Sequence, residues 1–293
     1  MNKLPLQTSF MRTILTKDGY GKNAINLSKI TRHADHHEFK QISVNVSLQG
    51  DFETAHTMGD NSKILPTDTQ KNTVYALAKE HLNDSIEEFG LHLSNHFLSN
   101  NLQLSQARIE IEEHLYSRLI VGNSEHPHAF ISRGNEKRVA IIEQSRHGIK
   151  TTCGIRDLLI LKTSDSGFEN YIMDQYTTLK ETADRILATQ CEVLWNYNSH
   201  KLEFNSLYNS IRETLLESFA GHKSSSVQHT LYAMGEDILN KYAQVDEISL
   251  VMPNKHHILF DLARFGIENN NEIFIATDEP FGYITGTVSR GEW

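Results

Sequence analysis

The sequence predicts an α+β protein made of two units that share one element order, ββααββ, each with an antiparallel sheet and a pair of helices on one face. Three observations lead to this prediction. Residues 38–52 alternate apolar and polar side chains, which is typical of a half-buried strand. Residues 204–219 carry apolar side chains at helical spacing. The second half of the chain then repeats the order of strand-like and helix-like segments found in the first half.

The first predicted unit covers residues 1–148. Its predicted strands are residues 23–33, 38–52, 103–120 and 138–146, and its predicted helices are residues 68–79 and 86–98. The second helix begins with a capping box, because Ser85 is followed three residues later by Glu88. Its apolar stripe consists of Ile86, Phe89, Leu93 and Phe97. This stripe predicts a helix that packs one face against the sheet.

The second predicted unit covers residues 149–293 and repeats this order. Its predicted strands are residues 151–162, 186–197, 247–252 and 272–288, and its predicted helices are residues 204–219 and 227–242. Residues 280–282 contain a proline and a glycine, so we expect them to interrupt the last strand. Residues 163–185, between the first two strands of this unit, are predicted to be a connecting segment.

Composition and charge exclude several classes of function. The net charge of −9 and the isoelectric point near 6.0 argue against a general nucleic-acid binder. No apolar run approaches the roughly 20 residues that span a bilayer. The N-terminal stretch lacks the apolar core of a secretory signal, and the C-terminal SRGEW does not match a peroxisomal address. Because Cys153 and Cys191 are too few for a disulfide scaffold, we expect a cytoplasmic protein.

The chain contains 16 histidines, which raises the alternative of a metal site. Paired histidines occur at residues 36–37, at 126 and 128, and at 256–257. None of these pairs lies in an HExxH frame, and the two cysteines lie far apart without ligand-like spacing. The chain also has no GxGxxG motif after a predicted strand. The sequence therefore predicts neither a metal nor an organic cofactor.

One segment, KTSDSGFENYIMDQYTTLKETADRIL at residues 162–187, resembles the signature of the urate oxidases (uricases) of the bacterial type. The matching positions are Lys162, Thr163, Ser164, Ser166, Phe168, Tyr171, Tyr176, Leu179 and Arg185. Nine positions at fixed spacing over 24 residues are far more specific than a short motif.

The resemblance extends over nearly the whole chain. Further matching blocks are Tyr20-Gly21-Lys22, Asp60-Asn61-Ser62 with residues 67–75, His126-Pro127-His128-Ala129-Phe130, Ser226-Val227-Gln228 with Tyr232 and Met234, and residues 253–257 with Asp261-Leu262. The resemblance implies the tunnelling fold (T-fold), with two such units per chain. It also implies a homotetramer, in which the sheets of several subunits join edge to edge into a barrel. Closure into a barrel removes open sheet edges.

Urate is planar, anionic at neutral pH and rich in oxygen, and the resemblance assigns residues to each of these properties. Phe168 would stack on the ring face, although a lone phenylalanine usually packs in a core. Arg185 presents a rigid donor fork that can bind a carbonyl oxygen and an adjacent anionic nitrogen. The alternative for Arg185 is a surface salt bridge with Asp184 or Glu181.

Two predicted helix starts provide further binding groups. Ser224 to Ser226 could cap a helix whose first turn contains Val227 and Gln228, with free N–H groups that face the anion. The Gln228 amide offers both a donor and an acceptor, but it could equally be an exposed helical glutamine. The resemblance implies that Thr67 and Asp68 reach the pocket of a neighbouring subunit. Otherwise Thr67 would be an ordinary N-cap.

Lys22, Thr67 and His256 resemble the proton-relay triad of the family. A lysine acts as a base only when it is neutral, so burial must lower its pKa. Thr67 would carry the proton to Lys22, and His256 would orient or re-protonate the relay. Asn254 would hold water or O2 above the ring. The alternative for residues 253–257 is a turn after a strand.

The resemblance implies cofactor-free oxidation of urate by O2 and water to 5-hydroxyisourate and hydrogen peroxide. Two other functions stay open at this point. One is a zinc-dependent pterin enzyme of the same fold, which requires a His/Cys zinc site. The other is a purine-binding protein without turnover, for which a base relay is unnecessary.

Overall fold

The computed structural model describes residues 13–291. Residues 1–12 and 292–293 lie outside the described part. They include most of the N-terminal stretch and the end of the SRGEW tail, both of which were used to predict the cellular location. The described strands are β1 (Tyr20–Arg32), β2 (His37–Gly50), β3 (Leu104–Val121), β4 (Ser124–Ser145), β5 (Gly148–Lys162), β6 (Leu187–Tyr197), β7 (Val245–Leu259) and β8 (Phe274–Ser289).

The described helices are α1 (Glu53–Thr57), α2 (Thr67–His81), α3 (Ile86–Asn100), α4 (Phe204–Gly221) and α5 (Val227–Lys241), and one 3-10 turn covers Ala263–Phe265. Each half of the chain therefore has two strands, two long helices and two further strands, which confirms the predicted α+β class. The Ser85 half of the capping box predicted for α3 is confirmed, because the Ser85 side chain accepts a hydrogen bond from the Glu88 N–H.

All eight strands form one antiparallel sheet in chain order, from β1 at one edge to β8 at the other. The hairpin of β4 and β5 joins the halves, with pairing from Lys137 opposite Arg156 to Ser145 opposite Gly148. The two halves therefore share a continuous sheet, and β1 and β8 are its open edges.

Four elements differ clearly from the sequence prediction. Strand β8 runs from Phe274 to Ser289, so the predicted interruption at residues 280–282 is wrong, although the pairing with β7 skips residues 278–281. Strand β4 begins at Ser124, not at residue 138, because its first residues form an exposed arm that pairs with the end of β3 and shows no buried face. Strand β7 continues through Pro253 to Leu259, so the predicted alternative of a turn at residues 253–257 is wrong. The short helix α1 was not predicted, and none of its residues is buried.

The long helices cover one face of the sheet and enclose two hydrophobic cores. The core of the second half surrounds Trp195, and that of the first half surrounds α3. Each half needs a glycine where a helix meets the sheet. A Cβ on Gly90 would lie 2.7 Å from Ile142 Cγ1, and a Cβ on Gly235 would lie 2.7 Å from Val288 Cγ2. These glycines allow close packing between helix and sheet.

A buried ion pair of the first half lies beneath the helices, and its arginine also contacts the second half. Arg138 in β4 donates to both carboxylate oxygens of Glu87 in α3, at 3.2 and 2.6 Å. Its Nη1 donates to Asn205 Oδ1 in α4 at 2.6 Å, and its guanidinium lies 4.5 Å from the Tyr208 ring centroid. The Glu87 side chain is 0% exposed and that of Arg138 is 7% exposed. The geometry is bidentate and charge-assisted, so the pair depends on both partners.

The two cysteines are buried and free. Cys153 lies in β5 and Cys191 in β6, and both belong to the core of the second half. Burial raises the pKa of Cys153, and it raises the pKa of Cys191 to about 12. Their thiols are therefore protonated and shielded. Within residues 13–291, the structure contains no helix that is both long and apolar enough to cross a membrane.

The sheet face opposite the helices carries an ion-pair network around Arg156. Its Nη1 donates to Glu110 Oε1 at 2.7 Å and to Glu112 Oε1 at 2.6 Å, and its Nε donates to Glu192 Oε2 at 3.3 Å. Arg108 Nη1 lies 2.7 Å from Glu110 Oε2. The network links β3, β5 and β6 across the middle of the sheet.

This network should make the protein sensitive to acid. Burial raises the pKa of the Glu110 carboxyl, but hydrogen bonds from Arg156 and Arg108 outweigh it, and the pKa lies below its ordinary value of 4.5. A carboxylate with a lowered pKa stabilises the folded chain above the unfolded pKa and loses this effect as the pH falls through the folded pKa. We expect Glu110→Gln to lower the free energy of unfolding by about 1–3 kcal/mol near neutral pH.

Urea unfolding at decreasing pH tests this expectation. The wild-type protein should lose stability more steeply than Glu110→Gln once the pH falls below 4.5. Glu125→Gln is the matched control, because Glu125 is 64% exposed and its contact with Arg118 is 3.7 Å long. Equal pH slopes for wild type and Glu110→Gln would contradict the assignment.

Candidate active site

The predicted site residues form two groups on different parts of the sheet. Lys22 lies in β1, beside the start of α2 with Thr67 and Asp68. Phe168, Arg185, Val227, Gln228, Asn254 and His256 belong to the second half of the chain. We call these the lysine group and the arginine group.

Tyr20 fixes the backbone of the lysine group. Its hydroxyl accepts a hydrogen bond from the Leu65 N–H at 2.8 Å, and its ring packs edge-on against Phe52 with centroids 4.8 Å apart. Tyr20 precedes Lys22 by two residues, and Leu65 precedes Thr67 by two residues. The tyrosine therefore sets the position of the Thr67 loop relative to the β1 strand. Tyr20 belongs to the matching block Tyr20-Gly21-Lys22, but the resemblance assigns it no role.

A bulge in β1 sets the direction of Lys22. The register with β2 shifts between Lys22 and Ile25, and Ala24 adopts a φ of 55° while its N–H donates to Asn45 Oδ1 at 2.8 Å. Gly21 is required beside the bulge, because a Cβ there would lie 1.8 Å from the Val46 carbonyl oxygen. Bulges of this kind re-aim side chains near functional sites.

Thr67 is the first residue of α2, and Pro66 occupies the N-cap position without a side-chain capping bond. The alternative of Thr67 as an ordinary N-cap is therefore wrong. The pKa of Asp68 is lowered, mainly by its hydrogen bond from Lys71 and more weakly by the charge of Lys22. Lys22 thus lies close enough to the start of α2 for its charge to act there.

In the arginine group, backbone hydrogen bonds hold residues 166–168 between residues 182–185 and Ser224. The Gly167 N–H donates to the Ser224 carbonyl at 2.8 Å, and the Arg185 N–H donates to the Ser166 carbonyl at 2.7 Å. Phe168 exchanges backbone hydrogen bonds with Thr182 at 2.8 and 3.2 Å. These bonds place Phe168 and Arg185 beside the loop that leads into α5. Ser166 belongs to the signature and Ser224 to the predicted helix cap, but neither was predicted to hold Phe168 and Arg185 in place.

Arg185 has a donor that the described chain leaves unpaired. Its guanidinium carbon lies 5.2 Å from the Phe168 ring centroid, and its Nε is buried without a hydrogen-bond partner. Burial lowers the pKa of Arg185. Asp184 instead accepts from the Ser164 hydroxyl at 2.6 Å, and Glu181 accepts from the Asn170 N–H at 2.6 Å. The surface salt-bridge alternative is therefore wrong, and an anionic acceptor would satisfy the donor.

Phe168 presents an aromatic face outside both hydrophobic cores. It is half-buried and stacks on Tyr171, with ring centroids 4.8 Å apart and an interplanar angle of 13°. The core-packing alternative is therefore wrong for this residue. A flat ring next to the Arg185 guanidinium suits a planar anion.

Helix α5 begins beside this pair. The Ser226 hydroxyl accepts from the His229 N–H at 3.1 Å, which confirms that the serine stretch caps a helix starting at Val227. The Val227 side chain is buried in the core, whereas Gln228 is exposed. The first-turn N–H groups carry the positive end of the helix dipole. In the single chain, exposed Gln228 fits both a binding role and the alternative of a surface glutamine.

Asn254 and His256 lie two residues apart in β7, on either side of a register shift against β8. Asn254 is 8% exposed, and its Nδ2 lies 3.4 Å from His256 Nδ1. Thr189 in β6 pairs with Asn254 across the ladder. Because Arg185 precedes β6 by two residues, the pairing places Asn254 and His256 next to the Arg185 end of that strand.

The single chain does not bring the two groups together. The lysine group lies at strand β1, and Asn254 and His256 lie at β7, so six inter-strand steps separate them. At about 4.8 Å per step the separation along the sheet is about 29 Å. Lys22 and Thr67 therefore cannot exchange a proton with His256 of the same chain.

The sheet with helices on one face, formed by two ββααββ halves, defines a protein of the tunnelling fold. The sequence profile of the family described as Uricase matches residues 18–143 and 151–285. The chain belongs to the uricase family.

Individual relatives agree with this assignment. The chain is 40% identical to uricase from Arthrobacter globiformis over 279 residues, which cover 95% of this chain and 91% of the relative. It is 38% identical to uricase from Oryctolagus cuniculus, with 96% and 94% covered. The crystal structure of the Arthrobacter globiformis uricase superimposes with a TM-score of 0.91, with 96% of both chains covered. Urate oxidase from Bacillus sp. TB-90, 22% identical with a TM-score of 0.82 over 93% of this chain and 100% of that one, supports the fold alone.

Proposed function

We propose that this member of the uricase family oxidises urate with O2 and water to 5-hydroxyisourate and hydrogen peroxide, without a metal or an organic cofactor. Family membership identifies urate and O2 as substrates. The observation that carries the proposal is the buried, unpaired Nε of Arg185, whose guanidinium carbon lies 5.2 Å from the ring centroid of half-buried Phe168. This pair offers a donor fork to the rim of a planar anion and a ring to its face.

The binding roles follow from the chemistry of the arginine group. Arg185 binds a urate oxygen and the adjacent anionic nitrogen, while Phe168 stacks on the ring. The Val227 N–H and the Gln228 amide bind the opposite edge from the first turn of α5. Asn254 holds O2 or water above the ring, next to His256 at 3.4 Å.

The catalytic roles belong to a proton relay. Urate becomes electron-rich enough for O2 when it loses a second proton. Lys22 is the base, Thr67 carries the proton to it, and His256 orients or re-protonates the relay. The doubly deprotonated urate then gives one electron to O2, the two radicals recombine at C5 as a peroxide, and the relay returns its proton to form a hydroperoxide. Water displaces hydrogen peroxide and leaves 5-hydroxyisourate.

The active site is completed by a second copy of the chain. The lysine group of one copy, with Thr67 and Asp68, meets the arginine group of another. This arrangement is supported by the six strand steps between the groups within one chain. It is also supported by the open edges β1 and β8, which can pair between copies in a barrel. We therefore propose a homotetramer of chains, each with T-fold units at residues 1–148 and 149–293. Such an assembly brings the two groups together and pairs the open strand edges.

The cytoplasm is the proposed location. Two buried, free thiols suit a reducing compartment, in which disulfides rarely form.

The direct test is an assay in which urate is added to purified protein that has been treated with a chelator. We expect the ultraviolet absorbance of urate to fall, with one O2 consumed and one hydrogen peroxide released per urate. Lys22→Ala is the control for contaminating activity, because it removes the proposed base and leaves the arginine group intact. Urate binding without O2 consumption would instead identify a purine-binding protein. Activity that is lost on chelation and restored by zinc would favour a metal-dependent enzyme.

A further inference from the structure

The tip of the β1–β2 hairpin carries a cluster of metal-ligating side chains that the proposed reaction does not use. The His33 N–H donates to the His36 carbonyl at 2.8 Å, next to the pair of Arg32 and His37. Side chains alternate along paired strands, so His33, His36 and Glu38 point to one face of the hairpin. The turn therefore gathers two imidazoles and one carboxylate.

The distances within this cluster suit a small cation. One ligand atom from each of His33, His36 and Glu38 lies within 4.8 Å of the others, and His33 Nε2 is already 3.2 Å from Glu38 Oε1. A tetrahedral zinc ion with ligand bonds of about 2.1 Å sets its ligand atoms about 3.4 Å apart. The side chains are 32–47% exposed, so small rotations about their bonds close the remaining gap.

A fourth residue supports a ligand role for His36. Its Nδ1 lies 2.8 Å from Asp35 Oδ1. A carboxylate that accepts the Nδ1–H of a histidine fixes the tautomer and leaves Nε2 as the lone-pair donor. Metal-binding histidines in proteins commonly have such a carboxylate partner.

We propose that His33, His36 and Glu38 form a binding site for a zinc-like divalent cation, with Asp35 orienting His36 and water completing the coordination shell. Two imidazoles and one carboxylate favour Zn2+ over Ca2+ or Mg2+, which prefer all-oxygen sites. The site lies 11 residues along β1 from Lys22, which is about 36 Å in an extended strand. It is therefore separate from the lysine group and has no part in urate oxidation.

Equilibrium dialysis of the full-length protein against ZnCl2, with metal quantified by atomic emission, tests the proposal. We expect one Zn2+ per hairpin, and at least about tenfold weaker binding after His33→Ala/His36→Ala. Asp35→Asn should weaken binding about 10–100-fold, as loss of an outer-shell partner does. Thermal unfolding in chelator should match wild type for all variants, since the residues are exposed. Urate turnover should be the same with and without zinc.

The control removes a different pair of stacked histidines. The rings of His81 and His92 lie 4.3 Å apart at 20°, comparable with the 4.6 Å and 25° of His33 and His36. His81→Ala/His92→Ala should leave zinc binding unchanged. The proposal is overturned if His33→Ala/His36→Ala still binds zinc. It is also overturned if His81→Ala/His92→Ala or His126→Ala/His128→Ala loses zinc binding.

Discussion

Mixed oligomers of Lys22→Ala and Arg185→Ala chains should recover about a quarter of wild-type activity, although each variant alone is nearly inactive at sub-saturating urate. Each proposed site takes its lysine group from one copy and its arginine group from another. Random mixing therefore yields intact sites from two defective chains. Lys22→Ala alone should lower turnover by about 100- to 10,000-fold, since it removes the base. Arg185→Ala alone should mainly weaken urate binding.

The experiment requires co-refolding or co-expression of the two variants, followed by steady-state assays. The matched control mixes Lys22→Ala with Thr67→Ala. Both residues belong to the lysine group, so every mixed site retains a defect and activity should stay low. Recovery in the first mixture alone supports a site shared between copies. A site contained in one chain would show no recovery in either mixture, which would refute the proposal.

Arg138→Ala should destabilise the folded chain by about 3–5 kcal/mol, the largest stability effect we expect from a single ion pair here. The substitution leaves the Glu87 carboxylate buried without its cation, because its side chain is 0% exposed. It also removes the hydrogen bond to Asn205 and the contact with Tyr208, so one of the polar connections between the two halves is lost. Urea unfolding of wild type and variant measures the difference.

Two comparisons separate the ion pair from general effects of mutation. Arg264→Ala breaks a contact with Asp261 in which both side chains are 60% exposed, and it should cost less than about 1 kcal/mol. Glu87→Gln/Arg138→Met removes both charges and should regain much of the stability that Arg138→Ala loses. A cost for Arg138→Ala as small as that of Arg264→Ala would contradict the account.

Hydrophobic periodicity was sufficient to predict most of the fold. Strand β2 and helix α4 bury one face each, so their sequences alternate with the period of the element. The exposed arm of β4 buries no face and therefore left no pattern. The bulge beside Lys22 was equally hidden, because Asn23 and Ala24 give no proline or glycine signal there. The continuity of the sheet depends on the pairing of β4 with β5, which neither half reveals alone.

The candidate site was less accessible from sequence than the fold. Resemblance supplied the names of Phe168 and Arg185, and the structure adds their contact at 5.2 Å and the unpaired Nε. Tyr20 belongs to a matching block, but its positioning role gave no signal, since a tyrosine that accepts a backbone N–H looks like any aromatic residue in a strand. The distance between Lys22 and His256 depends on strand order, which local patterns do not encode. The roles of these residues stay predictions until the mixing experiment is done.

The burial of the two thiols affects how well the protein resists the hydrogen peroxide that the proposed reaction releases. Hydrogen peroxide oxidises cysteine through the exposed thiolate, and both thiols here are enclosed and protonated. Within residues 13–291, the exposed methionines are Met58 and Met173, at 78% and 58%, so peroxide in solution can reach their side chains. Oxidative ageing should therefore mark the surface methionines and leave the packing around Trp195 intact.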